Sequence, residues 1–330
     1  MPGFRGEYGS AISMGVIFIV TVILGMLLSI PFMGMGYQAF EDPESLWIPL
    51  MYIFFIVIFS GVVLFLAKKK KLGIIQGLVL FASGLTLMYV LIIPYNYVFN
   101  IFFSKSYYDL HRDFVDFLFL AMCIGTAAIL TYILYKYPEW YVVDSIGIVV
   151  GAGIIAILGI SLGILPLFIL MIALAIYDAI SVYKTKHMID LADAVTEKHL
   201  PVILVVPKSK DYSFRKQKGL KKTLKKGEKR EAMFMGLGDI VFPGSLVISA
   251  MTFLGDSVVI RGHTYLEPTM ASFGVALCTL IGSLVGYSIL MRFVLKGRPQ
   301  AGLPLLNSGA ILGFAVGYFL IFGNLGMGIW

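Results

Sequence analysis

Nine long apolar runs dominate the chain, at roughly 11–33, 47–67, 72–93, 114–135, 145–162, 165–183, 232–254, 268–291 and 301–324. Uninterrupted apolar stretches of about 18 residues or more read as membrane-crossing helices. Only the turn "SLGILP" separates the fifth run from the sixth. Lipid offers the backbone no hydrogen bonds, so the expected fold class is all-α: a polytopic bundle of nine transmembrane helices. The polar segment 184–230 divides the chain into a six-helix part, 1–183, a loop, 184–230, and a three-helix part, 231–330. No internal repeat is visible.

Composition agrees with that pattern. The chain is 59% hydrophobic and 14% charged, with a mean hydropathy of +0.90, too little charge for a soluble domain. The net charge of +7 would suggest a nucleic-acid partner if it were spread over one surface. Sorted by loop, however, 23 of the 26 lysines and arginines fall on one side of a nine-span topology and 3 on the other, while the first opposite loop, "FEDPESL", is acidic. Basic loops mark the cytoplasmic side. The N-terminus is therefore expected inside, the C-terminus outside, and the run "KSKDYSFRKQKGLKKTLKKGEKR" against anionic lipid. Nucleic acid is not an expected partner. The first run is too long for a cleaved leader's core and is read as a retained helix in the cell membrane. Cys123 and Cys278 lie within apolar runs and the four histidines fall in loops, so neither a disulfide framework nor a metal site is expected.

Acids inside spans are functional candidates, because each costs about 2.5–3.5 kcal/mol at mid-bilayer on insertion scales. Asp116 and Asp144 lie at expected helix ends, within reach of the interface. Asp178, in "LAIYDAISVY", and Asp239, in "MGLGDIVFPG", do not. Taking both segments as helical, Asp178 lies roughly 9 Å and Asp239 roughly 13 Å from the basic loop at 1.5 Å per residue. That sets the two carboxylates level on consecutive antiparallel helices. Two close carboxylates in a low-dielectric site share one proton, which is the state needed to activate water with one group and protonate a scissile carbonyl with the other. Gly236 and Gly238 leave approach room beside Asp239. Pro243, four residues on, deprives the carbonyl of residue 239 of its helical donor. Asn307 and Ser308 follow Pro304 on the ninth run and are expected to border the pair. Val202 to Val206, within "LPVILVVP", reads as a short strand whose edge a partner strand could join. Paired aspartates beside a kinked helix also suit a proton- or cation-coupled transporter, a prepilin-type GxGD peptidase, or a scaffold that merely locks helices together.

"YD" on one span and "GLGD" on the next long one resemble the presenilin and signal peptide peptidase family of GxGD intramembrane aspartyl proteases, in its prokaryotic form. The likeness covers about Ile172 to Ala250 and the start of the ninth span. "LPVILVVP" matches the P-x-x-L-V-x-P segment of the signal peptide peptidase branch, whereas the charge bias implies the presenilin orientation. The resemblance implies that Asp178 and Asp239 are the catalytic pair, that Tyr177, Gly236, Leu237, Gly238 and Pro243 are motif residues, and that Pro304, Leu305 and Leu306 stand for the family's Pro-Ala-Leu, with Leu305 replacing the alanine. It implies a transmembrane peptide or membrane protein as substrate, no cofactor, and activity without accessory subunits.

Overall fold

The computed structural model describes residues 3–34, 36–40, 42–69, 71–185, 202–209, 212–216, 231–260, 263–296 and 300–323. Most of the basic run between 186 and 230 lies outside them. The helices are α1 (Gly3–Gly34), α2 (Trp47–Lys68), α3 (Leu72–Phe102), α4 (Lys105–Leu110), α5 (Arg112–Lys136), α6 (Trp140–Ser161), α7 (Ile164–Ala179), α8 (Gly238–Phe253), α9 (Met270–Leu295) and α10 (Leu303–Phe322). The protein is thus a polytopic α-helical membrane protein. Among the described residues, seven helices are long and apolar enough to cross a membrane; the apolar stretches Trp47–Val63 and Gly238–Phe253 are shorter. Large apolar side chains such as Phe54, Phe117 and Leu320 point outward, as lipid as the surrounding solvent allows. Ser245 and Thr279, inside the bundle, return their hydroxyl protons to carbonyls one turn back, Val241 and Val275, both at 2.8 Å, so these two add no unpaired donor.

The centre of the bundle is α6, 72% of whose span is buried against 17% for α5. The α6–α7 break is fixed from outside the pair. Ala39 donates its N–H to Ser161 Oγ at 2.8 Å, and Gly163 N–H donates to the Pro43 carbonyl at 2.9 Å. Helix α10 lies backbone-to-backbone on α9. A Cβ on Gly282 would strike the Gly309 carbonyl, and one on Gly286 the Leu305 carbonyl, so glycines on both helices permit the close crossing.

The seventh apolar run is only partly helical. Residues Ala232–Gly236 form strand β2, antiparallel to β1 (Ile203–Pro207), in register Ile203 with Gly236 through Pro207 with Ala232. The strand expected within "LPVILVVP" is present, but it has a partner within the chain. The helical depth estimate for Asp239 therefore does not apply, because a strand advances about 3.3 Å per residue; Asp239 sits in the first turn of α8, not in mid-span. A second hairpin, β3 (Asp256–Ile260) with β4 (His263–Glu267), follows α8.

Candidate active site

Local structure brings each aspartate to its place. Asp178 is on the last turn of α7, just before a π-helical turn, Ile180–Thr185. It is 4% exposed. Asp239 is half-buried. Leu237 closes the β ladder by donating its N–H to the Val202 carbonyl at 2.9 Å, then accepts the first two helical bonds of α8, from Ile240 and Val241, both at 3.1 Å. Strand therefore turns into helix within two residues, and Asp239 emerges at the junction. The Gly236 N–H faces the Asp239 carboxylate. A Cβ on Gly236 would lie 3.4 Å from Asp239 Oδ2. Its neighbour Gly238 is exposed.

The two carboxylates converge on the start of α10. The Leu303 N–H donates to Asp178 Oδ2 at 3.1 Å, and the Gly302 N–H faces the same carboxylate. At the same residue, a Cβ on Gly302 would lie 2.9 Å from both carboxylate oxygens of Asp239. One helix N-terminus thus binds the first aspartate through its free amides and abuts the second through a missing side chain. Ala301 N–H donates to Tyr183 Oη at 3.4 Å, tying the approach to α10 to the π-helical turn.

The remaining expected site residues fall around this junction. Tyr177 is half-buried beside Asp178. Pro243 is inside α8 and buried. Pro304 lies in the first turn of α10, Leu306 is buried, and Leu305 is half-buried with its backbone on Gly286 of α9. The turn meets the aspartates through Gly302 and Leu303, so Leu305 does not stand between them. Asn307 points across to α7, donating to the Met171 carbonyl at 2.9 Å, whereas Ser308 is exposed. A cavity of about 260 Å³ between α7 and α10 is lined by Met171, Ile176, Ala179, Pro304, Asn307 and Ser308 among others. Asp116 is exposed and accepts a bond from Tyr108 Oη at 3.0 Å. Asp144 lies in the second turn of α6, near the helix end expected for it, and is 6% exposed.

Sequence reasoning missed Gly302. Its signal was available: "AGLP" places a residue without a side chain immediately before a helix that a proline starts.

The family model described as "Signal-peptide peptidase, presenilin aspartyl protease" matches residues 14–323. Two solved structures are similar over nearly the whole chain. The structure of a presenilin family intramembrane aspartate protease in a C222 space group shares 30% identity, covers 94% of this chain and 99% of its own, and superposes with a TM-score of 0.59. One in a P2 space group shares 31%, covers 93% and 97%, and gives 0.59. No curated relative matches.

Proposed function

The chain belongs to the signal-peptide peptidase, presenilin aspartyl protease family and is an intramembrane aspartyl protease, and from that premise we propose that Asp178 and Asp239 are its catalytic pair. The observation that carries the assignment is their convergence on Gly302 and Leu303. One carboxyl holds the shared proton. The ionised partner takes a proton from water as its oxygen adds to the scissile carbonyl, and the protonated one delivers its proton to the carbonyl oxygen. The gem-diol then collapses: one hydroxyl returns its proton to the ionised carboxylate, the leaving nitrogen takes a proton from the other carboxyl, the C–N bond breaks, and a carboxylic acid and an amine result. One water is consumed, and the dyad ends with the single proton it started with.

Enzymes of this family act on transmembrane substrates in the bilayer. The substrate must unwind locally, since a carbonyl bonded within a helix is a poor target. The sheet offers a place for the unwound strand. Val205 turns its N–H away from β2, and the bonds Leu237 to Val202 and Lys208 to Glu231 have the opposite parity. The alternation of an antiparallel ladder then sets Ala232, Phe234 and Gly236 facing outward from β2. That edge leads directly to Asp239, so β2, not β1 as the sequence suggested, is the edge for an added strand. Phe234→Pro removes an outward N–H without removing a ladder bond. With purified protein in detergent and a transmembrane peptide, mass spectrometry should show cleavage reduced about tenfold, the worth of one lost hydrogen bond in a dry site. Wild-type turnover by this variant would refute strand addition at β2.

The proposed topology has nine spans, with α2 and α8 as the second and seventh, the N-terminus inside and the C-terminus outside, in the cell membrane. It is supported by the asymmetry of 23 against 3 basic residues. In a background lacking Cys123 and Cys278, Asp256→Cys should react with an impermeant maleimide added outside intact cells. Lys71→Cys should react only after the membrane is opened; the reverse pattern would invert the topology. The chain is proposed to act without accessory subunits.

A further inference from the structure

Asp144 is a buried carboxylate in a span, yet it takes no part in the pair. Its Oδ1 accepts the Val205 N–H at 2.8 Å, a group on the side of β1 away from β2. The same face of α6 is shaped to hold this segment. A Cβ on Gly147 would come 3.1 Å from Leu204 Cδ2, and one on Gly151 would come 2.9 Å from Leu237 Cδ1. Residues 144, 147 and 151 lie on one helical face, so α6 carries both β1 and the residue that launches α8. Glu139, at the start of α6, accepts from Ser213 Oγ at 2.9 Å and Phe214 N–H at 3.2 Å, holding the chain just beyond β1.

We propose that Asp144 is a positioning residue for the proteolytic reaction: it closes the outer edge of β1 and pins the strand to α6, leaving the edge of β2 beside Asp239 for the substrate. An open edge presents unpaired N–H and C=O groups that invite another strand. Were both edges open, an unwound substrate could pair out of register with the aspartates. The role needs an acceptor rather than a charge, so asparagine can fill it. The proposal rests on the assignments of Asp178, Asp239 and the β2 edge given above.

The test compares Asp144→Ala, Asp144→Asn and Asp239→Ala in the purified full chain, by amide hydrogen exchange over 203–207 and by peptide cleavage with product masses. Asp144→Ala should exchange at least about tenfold faster over that segment and raise KM about tenfold, in keeping with one lost buried hydrogen bond, with additional cleavage positions and a smaller change in kcat. Asp144→Asn should match the wild type in exchange, products and pH profile. Unchanged exchange and product masses in Asp144→Ala would overturn the proposal. So would an Asp144→Asn enzyme as inactive as Asp239→Ala, since the acid itself would then be needed. If Asp144→Ala is not recovered folded, Val205→Pro decides: it deletes the donor but no ladder bond, and must raise KM and broaden the products. Cleavage that survives Asp239→Ala would instead refute the catalytic pair. The exchange data do not depend on activity and would still judge Asp144.

Discussion

Asp178→Ala and Asp239→Ala should each abolish cleavage of a transmembrane peptide, by at least about 10⁴-fold, as when one member of an interdependent catalytic set is removed. The isosteric Asp178→Asn and Asp239→Asn should be equally inactive. They keep an acceptor for the amides of Leu303 and Gly236, so only the ionisation is lost. That comparison separates proton transfer from packing. Because burying a carboxylate in a span is unfavourable by about 2.5–3.5 kcal/mol on insertion scales, the asparagine variants should unfold at the same temperature as the wild type or higher, as measured by circular dichroism in detergent. Inactive, folded and no less stable is the signature of a functional pair. If the aspartates merely locked helices together, the same substitutions would loosen the fold and spare turnover. The wild-type rate should also show a bell-shaped pH dependence, falling when the pair binds a second proton and when it loses its only one. Residual cleavage in either alanine variant at the wild-type positions would remove that aspartate from the chemistry.

Helix positions were legible because lipid rewards one pattern, a long apolar run, wherever the helix packs. That same uniformity hid β2. Residues Ala232 to Gly236 are as apolar as the helix that follows, and nothing local marks them as extended. Their conformation comes from pairing with β1, a contact to residues 203–207 that apolarity does not encode. The unpartnered strand in "LPVILVVP" was the available hint, since a lone strand needs a neighbour for its backbone. The burial of Asp144 was hidden for a related reason. Counting from a helix end assumes the end faces water, but here β1 covers it. The aspartates themselves were legible because a charge in an apolar run stands out by its unfavourable transfer. The glycine that fits against them was not, because a glycine in a membrane protein is ordinary until its neighbours are known.

Gly302→Ala should lower kcat by about 100-fold, the loss expected when a reacting group is displaced by about 1 Å. Backbone conformation is not the reason for glycine here: φ is −77° at Gly302, which any residue adopts. The reason is space, for an added Cβ would meet Asp239 Oδ1 and Oδ2 at 2.9 Å and Cγ at 3.0 Å. Real Cβ atoms do not approach so closely, so either Asp239 turns away from Asp178 or the start of α10 withdraws and takes the Leu303 amide from Asp178 with it. Both movements separate the pair from its alignment, and neither removes a group of the β2 edge proposed to hold the substrate, so KM should change by less than about threefold. The glycine contacts of α9 with α10 lie further along the helix and should hold the variant folded, with a melting temperature close to that of the wild type. Leu305→Ala is the matched control. Leu305 is half-buried with its backbone on Gly286 of α9, and the contacts to the carboxylates come from Gly302 and Leu303 instead, so the substitution should leave kcat within about threefold, the small effect usual for a change outside the reacting groups. A Gly302→Ala enzyme with wild-type kcat would mean that the aspartates are free to move apart without loss, and the tight convergence at α10 would then not be what activates water.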